Sequence, residues 1–108
     1  MANNQNAVAI SNFKSIGYNA DVEVSKSGFA ISGKIGMDGD KKIVKYDGTV
    51  MKDNQRVCSF NSYQRIPANG EIGLAYNISD IFDAELASQA ILAISASVAD
   101  IQAEVDEN

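Results

Sequence analysis

The sequence predicts an α+β domain, an antiparallel β-meander of five to six short strands packed on one long C-terminal α-helix. Three observations carry this. Apolar and polar residues alternate with period two in successive stretches of residues 7–79. Turn-forming Gly, Asp, Asn and Ser punctuate those stretches at short spacing. From about Asp80 to Asp106 there is no Gly and no Pro, and Ala, Leu, Gln and Glu are dense. With 108 residues and 45% apolar composition the chain supports one core. Residues 7–108 are therefore read as a single domain, 7–79 the meander and 80–106 the helix. Residues 1–6, polar and uncharged, are read as a flexible N-terminal arm.

The elements follow in order. Ala7 to Phe13 reads as a short edge strand. Tyr18, Ala20, Val22 and Val24 alternate with Asn19, Asp21, Glu23 and Ser25, placing an apolar row against a wet one. Ser25-Lys26-Ser27-Gly28 supplies a turn whose glycine is free to take positive φ. Phe29, Ile31, Ile35 and Met37 then share one strand face, with Ser32, Lys34 and Asp38 on the other, and Asp38-Gly39-Asp40 turns the chain. A third clear strand spans Lys41 to Met51, with Val44, Tyr46 and Val50 in one row and Asp47-Gly48 as a bulge or tight corner. Lys52-Asp53-Asn54-Gln55 forms a hairpin loop into Arg56–Gln64, and Pro67-Ala68-Asn69-Gly70 punctuates again. Ile72, Leu74, Tyr76 and Ile78 alternate along the last strand.

A meander of this kind has one apolar face that needs a cover, and the helix supplies it. Asp80 or Asp83 can cap its start. Ala84, Ala87, Ile91, Ile94, Val98, Ile101 and Val105 form a heptad stripe to pack on the sheet or on other copies. Its flanks carry Ser88, Ser95, Gln102 and Ala90, Ser97, Glu104, without the Glu/Lys pairs of an exposed coiled coil. A helix of ~25 residues spans ~37 Å and strands of ~8 residues only ~27 Å, so a two-turn overhang is expected. Leu92, Ala96, Ala99 and Ala103 cluster opposite the stripe, where Lys and Glu normally stand. This predicts a helix contacted on both sides, with Leu92, Ala96, Ala99, Ala103, Asp100 and Glu104 as the candidate interface.

The formal net charge of −5 divides unevenly along the chain. Residues 1–65 hold nine bases and six acids, net +3, and residues 66–108 hold eight acids and no base, net −8. Such a division steers contacts between copies or draws the helix to its own sheet. Glu104, Asp106 and Glu107 stand at the unfavourable end of the helix dipole, so fraying or a basic partner is expected there.

The absence of histidine excludes Ser-His-Asp and Cys-His catalysis and imidazole-based zinc sites. The single Cys58 excludes disulfide frameworks and reads as a buried, inert thiol. Gly28-Phe29-Ala30-Ile31-Ser32-Gly33-Lys34 matches the core of a phosphate-binding loop, but Ile35 stands where Ser or Thr is needed and the segment alternates as a strand. Asp38-Gly39-Asp40 lacks the further ligands of a calcium loop. Lys41, Lys42, Lys45, Lys52, Arg56 and Arg65 lie near Tyr46 and Tyr63, a mixture suited to single-stranded nucleic acid, though the acidic balance argues against that partner. Asn77-Ile78-Ser79 fits a glycosylation sequon by chance. No basic leader precedes the domain, and no apolar run approaches the ~20 residues of a membrane span. These readings point to a cytoplasmic protein, or a virion component, with no cofactor and no metal.

The expected function is that of a non-catalytic structural or assembly protein acting through protein–protein contacts, as a homo-oligomer or part of a larger assembly. A phage or virion accessory, capsid-associated component is a concrete form of it. The alternative is a small acidic inhibitor that occupies a basic groove of a nucleic-acid enzyme.

Overall fold

The computed structural model describes residues 7–14, 19–65 and 73–107. Strands β1 (Ala7–Lys14), β2 (Asn19–Lys26), β3 (Phe29–Met37), β4 (Ile43–Lys52), β5 (Gln55–Arg65) and β6 (Gly73–Ser79) lie side by side in chain order, all antiparallel. Helix α1 (Ala84–Asp106) follows and covers one face. This is the expected α+β meander, with six strands. The expected N-terminal arm, Tyr18, Ile72 and the Pro67–Gly70 turn lie outside the described residues.

Turn chemistry sets the register. The β2–β3 turn has Ser27 at φ 54 and Gly28 at φ 87, and the β4–β5 turn has Asp53 at φ 52 and Asn54 at φ 65. Positive φ at both central residues is the two-residue hairpin whose twist matches its strands. It pairs Lys26 with Phe29 and Lys52 with Gln55. At the β3–β4 turn the Asp38 carboxylate accepts from the Asp40 and Lys42 amides at 2.9 and 3.0 Å, which makes Asp38-Gly39-Asp40 a side-chain-tied turn.

Asp47-Gly48 is not a bulge. Asp47 faces Lys34 and Gly48 faces Gly33 in unbroken register, and the irregularities fall between Gly36 and Met37 and between Val50 and Met51. The two glycines are there for close approach: a Cβ on Gly33 would overlap the Asp47 carbonyl oxygen, and one on Gly48 the Ser32 carbonyl oxygen. The phosphate-loop lookalike begins at Gly28 in the hairpin turn and runs along the first part of β3, where residues 30–34 are paired in ladders on both sides.

The core is one face of the sheet. Ala20, Val22, Val24, Phe29, Ile31, Ile35, Met37, Tyr46, Val50, Cys58 and Phe60 are buried there beneath α1. Tyr46 and Phe60 meet edge to face with ring centroids 4.9 Å apart.

Asp83 caps α1, accepting from the amides of Glu85 and Leu86 at 3.0 and 3.1 Å, so the helix begins at Ala84 and not at Asp80. Asp80, at φ 55, instead marks the exit from β6. The buried stripe is Ala87, Ala90, Ala93, Ile94, Ser97, Ile101 and Val105. Three members of the expected stripe leave it: Ala84 is exposed, Ile91 is 39% exposed and Val98 is half-buried. The docked side therefore mixes small residues (Ala87, Ala90, Ala93, Ser97) with branched ones (Ile94, Ile101, Val105), and is rotated about the helix axis from the expected stripe.

The expected overhang does not occur either. Burial continues from Ala87 to Val105, because α1 crosses the strands and packs on β1 through β5 instead of following one strand. By length and composition alone α1 is long and apolar enough to cross a membrane, which corrects the reading that no such run exists. In this fold one face of it is docked on the sheet.

Replacing Gly48 with Ala drives a Cβ into the backbone of β3 and is expected to cost about 3 kcal/mol. Gly39→Ala, which meets open space, is expected to change stability by less than about 0.5 kcal/mol. Urea unfolding of the two variants tests the difference.

Candidate functional site

Three surface features of the fold carry apolar groups to solvent. The first is the outer face of α1. Leu92, Ala96, Ala99 and Ala103 recur at spacings that put them on one stripe opposite the sheet, and all four are exposed, Leu92 at 72%. Beside them Gln89 and Leu92 join Ser27, Phe29, Ala93 and Ala96 around a shallow recess of about 370 Å³.

Asp100 and Glu104 do not belong to that stripe. Asp100 is turned toward the sheet, where its carboxylate meets Lys26 Nζ at 2.8 Å, and Glu104 is half-buried. The candidate residues thus separate into an outward apolar row and two inward-leaning acids. Gln102 locks the same end of the helix: its amide oxygen accepts from the Ile43 amide at 2.9 Å, and its Nε2 donates to the Lys41 carbonyl at 2.9 Å.

The second feature is a cleft where β4 and β5 part. Their ladder runs from Lys52–Gln55 to Gly48–Phe60 and stops. Beyond it side chains bridge the gap. Ser62 Oγ accepts from the Tyr46 amide at 2.7 Å, and the Ser62 amide donates to Asp47 Oδ1 at 3.0 Å. The opening continues as a cleft of about 420 Å³ lined by Ile43, Val44, Leu74, Tyr76 and Val98, with Asp38, Lys42 and Gln64 also on its wall. Such a wall offers shape and apolar contact, and no nucleophile paired to a base.

The third feature was missed in the sequence. Phe82, immediately before the helix cap, is 95% exposed, and Ile81 is 49% exposed. A residue at this position normally staples onto the fourth helical residue, which here is the small, buried Ala87. That mismatch was a readable signal.

The basic cluster is dispersed. Lys41 and Lys42 lie by the β3–β4 turn, while Lys52 and Arg56 flank the opposite end of β4 and β5. Lys45 meets Asp47 at 3.5 Å, Arg56 meets Asp80 at 3.3 Å, and Lys52 stands over the Phe29 ring at 5.1 Å. Tyr46, named as a stacking platform, is wholly buried. Among the described residues no group of three or more Cys, Asp or Glu is placed to hold a metal ion.

Buried polar atoms find partners throughout the described residues. Tyr46 Oη and Ser97 Oγ are 2.9 Å apart, and Ser97 also donates to the Ile94 carbonyl at 2.8 Å. Burial pushes the Tyr46 phenol up to about 12, against the opposing pull of its Ser97 hydrogen bond, and burial pushes Tyr76 up to about 12 as well. Burial likewise raises the Cys58 thiol.

A phenol raised in the folded state favours folding while protonated in both states. That contribution is complete below the unfolded value of about 10 and is lost as pH rises toward about 12. Stability is therefore expected to fall between about pH 10 and 12, and Tyr46→Phe is expected to lessen the fall while Tyr76 sustains the rest, as measured by urea unfolding across that range. Cys58 is expected to resist thiol reagents at pH 8 in the native state and react fully in denaturant, which a thiol titration reads directly. No protein-family model matches the chain, and neither curated proteins nor solved structures give a match.

Proposed function

We propose that this chain is a non-catalytic assembly protein that works by binding protein, either copies of itself or a larger shell. A capsid-associated accessory component of a virion is a concrete setting for it. The observation that carries this reading is the outer face of α1. An exposed helix face ordinarily alternates bases and acids, whereas here Leu92, Ala96, Ala99 and Ala103 stand in a row on a segment without a single base. Small side chains let a second backbone approach closely, and Leu92 supplies an anchor of the size that interfaces bury. Phe82 and Ile81 extend the apolar character beyond the helix start.

The acidic-inhibitor reading draws on the same segment and gains less from the geometry. Of the carboxylates it needs, Asp100 is engaged with Lys26 and Asp106 accepts from Gln102 Nε2 at 3.1 Å. The remainder do not form a free row of charge.

Leu92→Glu with Ala99→Glu places two carboxylates on the proposed interface while leaving the buried stripe intact. The double variant is expected to fold with an unchanged circular dichroism spectrum and to weaken assembly by at least about tenfold. Mass measurement of the native complex, with wild type and variant supplied in turn, checks it. A complex that forms equally well with the variant removes the outer face from consideration.

A further inference from the structure

We propose that β6 is the seam of a two-fold dimer, in which the β6 strands of two copies pair antiparallel and Phe82 of each copy seats in the other's cleft. This contact is separate from the outer face of α1, and neither depends on the other.

The two edges of the sheet are unlike. The register of β1 against β2 shifts between Ser11 and Lys14, a device that blunts an edge. β6, Gly-Leu-Ala-Tyr-Asn-Ile-Ser, has no charge, no proline and seven successive pairs with β5 without a shift. Among the described residues no strand pairs with its outer edge, which presents a straight row of backbone donors and acceptors. It is also the one strand on which α1 does not pack. Leu74, Tyr76 and Ile78 on its core-facing side are in consequence only half-buried.

The occupant that fits is a second copy. Antiparallel pairing about Tyr76 sets Leu74 opposite Ile78, Ala75 opposite Asn77 and Gly73 opposite Ser79, so apolar residues meet apolar residues and no like charges meet. Asp80, which follows the strand end, is held by Arg56 of its own copy at 3.3 Å, and β6 itself carries no charge, so no like charges are brought together along the seam. The same direction brings the end of one β6 alongside the start of the other. Phe82 follows that end by three residues and is 95% exposed. The apolar cleft of about 420 Å³ opens at the start of β6, between Leu74, Tyr76 and Val98. A phenyl ring seeking cover and a cleft seeking an occupant thus face each other twice, related by the same axis.

The test is sedimentation equilibrium of the full chain from about 1 to 200 μM, on wild type, A75K/N77K, F82S and L92E/A99E. Ala75 and Asn77 lie on the opposite side of β6 from the core, so lysines there leave the fold intact and oppose one another across the seam. The expected result is a monomer–dimer equilibrium whose Kd rises at least about a hundredfold in A75K/N77K and about tenfold in F82S. L92E/A99E is expected to leave it unchanged. A wild type that is monomeric throughout the range overturns the proposal, as does a dimer that survives A75K/N77K, or larger oligomers indifferent to it. A dimer lost only in L92E/A99E overturns it too, and places self-association on α1 instead.

Discussion

The structure turns on how closely α1 approaches the sheet, and the contact that sets this distance is Tyr46 Oη against Ser97 Oγ at 2.9 Å, in the middle of the core. A fully buried phenol must hydrogen-bond or lose on the order of 1–3 kcal/mol. Its partner has to be a short side chain, because a longer one would lift the helix away. Ser97 satisfies both demands and closes its own needs on the Ile94 carbonyl. Toward its start the docked face is small, with Ala87, Ala90 and Ala93 buried against the sheet. Ile94, Ile101 and Val105 supply the bulk of the docked face, while Ile91, Val98 and Leu92 lie at its side or outside it.

Charge along the chain follows from the same docking. The helix carries no base and its last turn ends in Asp106 and Glu107, against the direction of the helix dipole. Compensation comes from the sheet side. Lys26 reaches Asp100 in a partly buried ion pair, and Gln102 ties the same turns to Lys41 and Ile43. The division into a +3 portion and a −8 portion is in part internal electrostatics, holding the last turns of α1 down.

Strands and turns were legible because each has a local cause. Period-two alternation marks the faces of β2, β3 and β6, and Ser27-Gly28 and Asp53-Asn54 are the residue types that accept positive φ in a hairpin. What escaped was non-local. Hydropathy ranks Ile91 and Val98 above Ala90 and Ser97, yet the second pair is buried, and Ser97 stands there as the partner of the Tyr46 hydroxyl, a contact that no local pattern announces. Gly48 was recognised as an interruption, but its meaning is a close crossing with Gly33 on another strand. The departure of β5 from β4 beyond that point opens the cleft, and no motif announces it. Of the candidate interface, the outward placement of Leu92, Ala96, Ala99 and Ala103 follows from helical periodicity. The inward lean of Asp100 required knowing where Lys26 would be.

A sheet covered by one helix across five of six strands is an unfinished layer, and the unfinished part lies at one edge. Closing the sheet into a barrel would have removed both edges, but a meander backed by a helix on one face cannot curl that far without expelling the helix. The chain breaks the register of β1, and among the described residues nothing of the kind interrupts β6, near which Phe82 and the cleft also lie. Blocking an edge against pairing takes little, since one lysine in β6 would do it. Its presence on one edge and absence on the other is an asymmetry that a two-fold seam explains. A two-fold contact consumes only β6, so it terminates at a dimer and leaves the outer row of α1 available on both copies. Growth beyond a pair then requires that second surface, and the two together are the minimum that an assembly larger than a dimer needs.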